Sequence, residues 1–182
     1  MKFIVACLTV LCLSSTSFSQ SSFDPDVKGP IKIMQYNVEN LFDAEHDREK
    51  KDFEFLPKNH PQKANCEHVK NKNSCYAMDW TPAKINLKLN QIRKIISAQG
   101  TLPDILVLEE VENENVVTKL GAVLGYQYLV MTNSPDERGI DVAILYRTDR
   151  LRFLGQFQQR VNVGFPTRDL IVANFQTVTG DV

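Results

Sequence analysis

The sequence predicts a layered domain of the α/β or α+β class. Several short apolar runs have the length and composition of strands, and two longer segments repeat apolar residues at helical spacing. The order strand, helix, strand, helix and then several strands is typical of a layered mixed domain. With 182 residues, 43% hydrophobic and 24% charged, the chain suits one globular domain. The predicted strands are 31–36, 105–108, 126–131, 141–146, 151–157 and 170–175.

The first predicted helix begins at Thr81 and Pro82, because Thr is a preferred N-cap and Pro is favoured at the first helical position. Gly100 is its predicted stop. Apolar residues recur on one face, which should be buried: Ile85, Leu89, Ile92 and Ile96. The basic residues lie largely elsewhere and are interpreted as a solvated face: Lys84, Lys88, Arg93 and Lys94.

A continuous apolar run, 105–108, predicts a strand that is buried on both faces and ends at Glu109 and Glu110. The segment 113–124 then predicts a second helix. Its apolar side consists of Val116, Val117, Leu120 and Leu124.

Residues 1–19 are predicted to be a secretory signal peptide. Lys2 precedes an apolar stretch that is shorter than the roughly 20 residues of a membrane span, and small residues follow it. Residues 20–30 are interpreted as a flexible leader, and no later apolar run predicts a membrane span. We therefore expect a secreted or periplasmic protein.

The segment 44–80 is too long for a simple connection and is interpreted as a functional insertion or a mobile flap, which we expect to pack loosely against the rest of the domain. It contains Cys66 and Cys75, for which an exported protein predicts a disulfide. Free thiols or a zinc site are alternatives, although the spacing of the cysteines around His68 matches no common zinc motif. All the histidines, His46, His60 and His68, are interpreted as loop residues.

The charge balance argues against one class of protein. Lys and Arg number 21 and Asp and Glu 22, which excludes a strongly basic protein that coats nucleic acid. A nuclease remains compatible with this balance, because an enzyme needs only a local basic groove and can use the charge of a metal ion.

Polar residues follow two of the predicted strands. The first strand leads to Asn37 and Glu39, and the second ends at Glu109 and Glu110. If the strands are parallel neighbours, these side chains meet where ligands gather in α/β sheets. Mg²⁺ accepts one or two carboxylates together with water and substrate phosphate, so this edge is a candidate metal and phosphate site. Solubilising surface acids are the alternative interpretation.

The amino-acid sequences of four segments resemble motifs of the endonuclease/exonuclease/phosphatase superfamily. Residues 31–43 resemble its first motif, and 103–111 resemble its second, which is usually a strand followed by Gln-Glu. Residues 138–146 and 168–175 resemble later strands of the same cleft. The resemblance implies two β-sheets packed face to face and flanked by helices, within a partial domain spanning 31–182.

This resemblance also implies functional residues. Glu110 would be the metal ligand, Glu109 would stand at the Gln position, and Asn37 would be catalytic. Arg138 and Asp141 are weaker candidates for substrate binding. The implied cofactor is Mg²⁺ or another divalent cation, and the implied partner is a nucleic acid or another phosphodiester substrate. No protein partner is predicted.

The sequence departs from the family pattern in its second half. No histidine follows residue 68, and the family's Gly-Asp-x-Asn and Ser-Asp-His motifs are missing. We therefore expect the N-terminal half of an exported nuclease, with little activity of its own. One alternative is an inactive remnant or interaction module of the same fold, and another is a phospholipid phosphodiesterase similar to sphingomyelinases.

Overall fold

The computed structural model describes residues 29–177. The predicted signal peptide and nearly all of the predicted leader lie outside the described residues. The strands are β1 (Ile33–Leu41), β2 (Ile105–Val111), β3 (Tyr128–Met131), β4 (Asp141–Tyr146), β5 (Leu151–Gln159) and β6 (Leu170–Thr177). The helices are α1 (Lys72–Ala77), α2 (Pro82–Ser97) and α3 (Glu114–Leu124), with two 3₁₀ helices, Phe53–Phe55 and Pro61–His68.

The first four strands form one sheet with the order β1-β2-β4-β3. Strands β1 and β2 are parallel, whereas β4 runs antiparallel to both β2 and β3. Strands β5 and β6 form a separate antiparallel pair. The carboxyl ends of β1 and β2 therefore meet at one edge of the larger sheet, which is the condition on which the candidate site depended.

Helices α2 and α3 cover one face of the four-stranded sheet. Leu106 and Leu108 of β2 are fully buried beneath them, together with the predicted apolar faces of both helices. Thr81 caps α2 by accepting a hydrogen bond from the Lys84 N–H, which confirms the predicted start. The helix ends at Ser97, and the turn that follows it closes at the predicted stop, Gly100, which has a left-handed φ of 90° and donates to the Ser97 carbonyl at 3.2 Å.

The two-stranded sheet covers the opposite face. Ile105 and Val107, which alternate with the leucines of β2, pack there beside Tyr146 of β4 and Phe153 of β5. Strand β2 is thus covered on both faces, by helices on one side and by the second sheet on the other. The mixed α/β class and the two facing sheets that the resemblance implied are both confirmed.

The insertion 44–80 packs more tightly than we expected. The structure contains the predicted disulfide between Cys66 and Cys75, both of which are fully buried. Lys63 is also buried, and its ammonium donates to the carbonyls of Phe53, Glu54 and Leu56 at 2.9–3.1 Å.

Aromatic side chains join the insertion to the larger core. Phe55 stacks on Phe42 at 3.9 Å between ring centroids and meets the edge of Trp80. The Trp80 indole N–H donates to the Phe42 carbonyl at 3.0 Å. The expectation of a loosely attached insertion is therefore wrong, because its aromatic residues complete the core.

Within residues 29–177, no helix combines the length and the hydropathy needed to cross a bilayer.

Candidate functional site

The parallel pairing of β1 and β2 brings the predicted site residues to one place. Asn37 of β1 is the cross-strand partner of Glu109, and the following residues of both strands leave the regular ladder. The register resumes where Leu41 pairs with Val111, so three residues of β1 oppose one residue of β2. The sheet therefore ends in a wide β-bulge at the predicted site.

The bulge has an unusual backbone conformation. Glu39, Asn40 and Glu110 have positive φ angles of 53°, 65° and 61°. A non-glycine residue at positive φ raises the free energy of the folded state by on the order of 1–3 kcal/mol, so neighbouring contacts must hold it there. Such residues concentrate at functional sites. We call Asn37, Glu39, Asn40 and Glu110 the bulge site.

Glu109 and Glu110 have different surroundings. The Glu109 carboxylate accepts a hydrogen bond from the side chain of Gln35 in the neighbouring strand β1. Glu110 is half-buried, and its carboxylate interacts electrostatically with Lys88. The left-handed backbone of Glu110 breaks the strand alternation, so its orientation does not follow from the period of two that the sequence analysis assumed. The assignment of the metal ligand to Glu110 stays a prediction.

Asn37 is exposed and its side chain is oriented by a local bond. Its Oδ1 atom accepts a hydrogen bond from the Glu39 N–H at 2.8 Å. This turn occupies the amide oxygen, so the Nδ2 group is the donor that could serve a phosphate oxygen. The structure thus gives Asn37 a defined orientation, and its catalytic role stays a prediction.

Lys88 is a member of the site that the sequence analysis missed. Its ammonium donates to the Asn40 carbonyl at 3.0 Å and to the Glu39 carbonyl, and lies 5.6 Å from the centre of the Trp80 ring. Burial lowers the pKa of Lys88, while the charges of Glu39 and Glu110 act to raise it. The interpretation of Lys88 as part of a solvated face is therefore wrong.

A cleft of about 540 Å³ lies between α2 and the end of β1. Asn37 and Glu39 line one side, and Lys84, Lys88 and Trp80 line another. Glu110 is not among its lining residues, so the cleft adjoins the bulge site without enclosing it. A bound molecule in this cleft would contact the exposed half of the site and two basic side chains.

The two weaker candidates have separate positions. Arg138 is exposed, and its guanidinium donates to the Asn40 side chain at 3.3 Å, so it reaches the bulge site. Asp141 is buried, and its Oδ1 accepts from the Thr132 hydroxyl at 2.7 Å and the Ser134 N–H at 2.8 Å. Asp141 stabilises the connection between β3 and β4, which is a structural role that the sequence prediction did not include.

A second group of carboxylates follows the bulge residues in the sequence. We call Asp43, Asp47, Asp52 and Glu112 the acid cluster. Glu112 is only 3% exposed, its Oε2 accepts from the Asp43 N–H at 2.8 Å, and its Oε1 has no hydrogen-bond partner. Burial, with the neighbouring acids, raises the pKa of Glu112 to about 9. Burial also raises the pKa of Asp52, against the hydrogen bond from His46.

The side chains of the bulge site fit only part of a metal shell. Within residues 29–177, no group of three or more His, Cys, Asp or Glu side chains could hold a metal ion. The bulge site offers the carboxylate oxygens of Glu39 and Glu110 instead, in surroundings open to solvent. Such a donor set suits a hard cation that completes its shell with water and substrate phosphate.

The histidines lie outside the bulge site. His46 bonds to Asp52, and the His60 ring caps a 3₁₀ helix by accepting from the Gln62 N–H at 3.2 Å. His68 is exposed at the end of the same helix. All three lie in the insertion, where the sequence analysis placed them.

Comparison with solved structures gives two distant similarities. An endonuclease/exonuclease/phosphatase family protein from Bacteroides thetaiotaomicron has 14% identity and a TM-score of 0.44, over 81% of this chain and 45% of its own. The human Nocturnin catalytic domain, solved with a bound sulfate anion, has 18% identity and a TM-score of 0.44 over the same shares. This chain thus spans less than half of either structure. No curated protein matches it significantly.

Comparison with protein families gives a broader match. The model described as the endonuclease/exonuclease/phosphatase family matches residues 32–181. This range includes both sheets, the insertion and all the residues of the bulge site. Because the match covers most of the sequence, the chain belongs to the endonuclease/exonuclease/phosphatase family.

Proposed function

We propose that the chain forms the metal- and phosphate-binding part of an exported, Mg²⁺-dependent phosphodiesterase that acts as a nuclease. Enzymes of this family are generally metal-dependent phosphodiesterases or phosphatases. The observation that carries the proposal is the end of the parallel pair β1–β2, where Asn37, Glu39 and Glu110 come together at a solvent-accessible bulge.

Each residue has a proposed role. Glu110 holds the divalent cation, Glu39 supplies a second carboxylate, and Asn37 donates from Nδ2 to a phosphate oxygen. A divalent cation, when bound, neutralises phosphate charge and stabilises the leaving oxygen. Arg138, which already contacts the bulge through Asn40, is placed to attract the anionic substrate.

Export rests on two observations. Residues 1–19 have the sequence features of a signal peptide, and the buried disulfide Cys66–Cys75 is typical of proteins in oxidising compartments. A secreted or periplasmic location follows from them. The site of cleavage is proposed after Ser19, and N-terminal sequencing of the mature protein checks it.

Two measurements test the proposed function. Titration with Mn²⁺ should detect one binding site, and Glu110→Gln should weaken binding about 10–100-fold. Glu109→Gln is the matched control, because Glu109 adjoins Glu110 but is engaged by Gln35. Equal losses of Mn²⁺ affinity in both variants would contradict the assignment of the cation ligand to Glu110 and not Glu109.

Hydrolysis assays then identify the substrate. The chain should cleave DNA slowly with Mg²⁺, and an Asn37→Ala, Glu110→Gln double variant should not cleave it. We expect slow turnover because the three histidines, His46, His60 and His68, lie in the insertion and not at the bulge site. Preferential cleavage of sphingomyelin would favour the phospholipid alternative. Absence of both cation binding and cleavage would favour an interaction module.

A further inference from the structure

Lys88 makes an unusual set of contacts for a lysine on the exposed side of an amphipathic helix. Its ammonium donates to the carbonyl oxygens of Glu39 and Asn40, which are consecutive residues of the bulge. These residues are 49 and 48 positions away in sequence. An ammonium has three N–H donors, so these two bonds use most of its capacity.

The two acceptor carbonyls, of Glu39 and Asn40, belong to the strained part of the β1 backbone. Glu39 and Asn40 both have positive φ angles, and at this point β1 has left the regular ladder with β2. Carbonyl groups released from a ladder need other donors. Lys88 supplies one donor to each of two adjacent carbonyls, and this fixes the path of the chain between Asn37 and Leu41.

Lys88 itself is held rigidly. Its neighbour Leu89 and the next-turn residue Ile92 are buried in the larger core, which fixes this part of α2. The ammonium lies over Trp80, whose indole is bonded to the Phe42 carbonyl just beyond β1. The lysine thus connects a packed helix and a packed aromatic ring to the strained bulge.

We propose that Lys88 is a positioning residue, which holds the backbone of Glu39 and Asn40 so that Asn37 and Glu110 keep the geometry needed to bind cation and phosphate. This inference rests on the proposed function, because it assigns Lys88 to the same site. Lys88 acts through the backbone, since its donors are directed at carbonyl oxygens. Its charge also lies close enough to Glu39 and Glu110 to interact with both.

Because Lys88 is positively charged, the direction of the change in Mn²⁺ affinity is diagnostic. A positive charge beside two carboxylates repels a second cation, so removing the charge alone would strengthen Mn²⁺ binding. Loss of positioning would weaken it, because residues that orient metal ligands typically contribute about 10–100-fold to metal affinity. The two effects of Lys88→Met therefore oppose each other, and the proposal requires the second to dominate.

The experiment compares Lys88→Met, Lys88→Arg and Lys84→Met in the full chain. Lys84 is the matched control because it lies one turn earlier, lines the same cleft and is exposed. Calorimetric titration with Mn²⁺ measures affinity, and amide hydrogen exchange of peptides covering 37–41 and 109–112 measures order in the bulge. Peptides covering β3 and β4 are the internal reference for overall stability.

We expect Lys88→Met to weaken Mn²⁺ binding roughly 10-fold and to speed exchange selectively in the bulge peptides. Lys88→Arg should restore both, because a guanidinium keeps the charge and can donate to both carbonyls, and Lys84→Met should behave as wild type. Unchanged or stronger Mn²⁺ binding in Lys88→Met would overturn the inference, as would exchange that rises equally in β3 and β4. Absence of Mn²⁺ binding in the wild-type chain would instead contradict the proposed function.

Discussion

Two groups of carboxylates lie at and just beyond the carboxyl ends of β1 and β2, and their surroundings differ. In the bulge site, Glu39 is exposed and Glu110 is half-buried, and both face the ammonium of Lys88. In the acid cluster, Glu112 is 3% exposed and faces other acids, so its pKa rises to about 9. Glu110 and Glu112 are two residues apart, yet the first interacts with an ammonium and the second with other acids.

This difference favours the acids of the bulge site over Glu112 as the proposed cation ligands. A ligand must be ionised and accessible, and a nearby cation together with solvent favours that state. A buried carboxyl among like charges keeps its proton instead, and acts as a neutral hydrogen-bonding group. Three experiments test how far the two regions are independent, from the largest expected effect on stability to the smallest.

Removal of the disulfide should give the largest effect. The insertion supplies Asp47 and Asp52 to the acid cluster, whereas it reaches the bulge site through Trp80, which lies beside the Lys88 ammonium. Replacing Cys66 and Cys75 by Ala should lower the free energy of unfolding by about 2–3 kcal/mol, because the unfolded chain is no longer constrained by the closed loop. Urea denaturation at pH 7 measures the change, and wild type under reducing conditions should show the same loss.

The same variant tests the independence of the two regions. Mn²⁺ affinity at the bulge site should stay within about 2-fold of wild type, because the Cys66 sulfur contacts the Phe53 carbonyl and not the bulge, and sites without shared partners contribute additively. A large loss of affinity would show that the insertion supports the bulge, and the distinction between the two regions would then fail.

The elements with local signals could be predicted from the sequence. Thr81 and Pro82 mark the start of α2, the period of its isoleucines gives its buried face, and β4 has the predicted bounds, Asp141–Tyr146. Cap chemistry and hydrophobic periodicity act over a few residues, so a sequence window contains the whole signal. The disulfide was also predictable, because exactly one pair of cysteines follows the predicted signal peptide.

The contacts of Lys88, Lys63 and Glu112 were not predictable in this way. Lys88 follows the helical pattern of a solvated residue, and only tertiary structure brings two strained carbonyls to its ammonium. Lys63 lies in a segment without any period, yet it is buried among carbonyls. In the sequence, Glu112 has the pattern of a surface acid, but the chain after β1 covers it in the folded structure. In each case the partner lies outside the local window, and the charge alone suggests exposure.

Replacement of Glu112 should give the second largest effect. The pKa of Glu112 is about 9 in the folded state against 4.5 as its ordinary value, so the folded state binds a proton more tightly between these values. The free energy of unfolding should therefore fall as pH rises through this range, by at most about 1.4 kcal/mol per pH unit. Glu112→Gln resembles the protonated side chain and should remove this dependence.

We expect Glu112→Gln to be more stable than wild type by about 1–2 kcal/mol at pH 8, with the difference vanishing below about pH 4.5. Urea denaturation between pH 4 and pH 9 measures the slope. Glu109→Gln is the control for replacing a carboxylate by an amide at a half-buried position of the same segment. A destabilised Glu112→Gln at pH 8 would mean that the acid cluster needs the negative charge, for example to hold a cation.

The smallest expected effect distinguishes two helix caps. Asn113 caps α3 by accepting from the Val116 N–H at 3.1 Å, and its Nδ2 donates to Asp43 and Asp47 at 3.2 and 3.3 Å. Thr81 caps α2 through one longer contact of 3.4 Å. Asn113→Ala should therefore cost about 1 kcal/mol, and Thr81→Ala about 0.5 kcal/mol, as measured by urea denaturation at pH 7.

Asn113→Asp separates the cap from the acid cluster. Asp is as good an N-cap as Asn, and its charge interacts favourably with the helix N-terminus, so a role in capping alone predicts no loss of stability. At this position, however, it replaces a donor to Asp43 and Asp47 by a third negative charge. We expect a loss of about 1 kcal/mol at pH 7 and low salt that shrinks as the salt concentration is raised, because salt screens the repulsion between like charges. A neutral or stabilising Asn113→Asp would show that the acid cluster tolerates added charge, and the contrast between its carboxylates and those of the bulge site would lose its electrostatic basis.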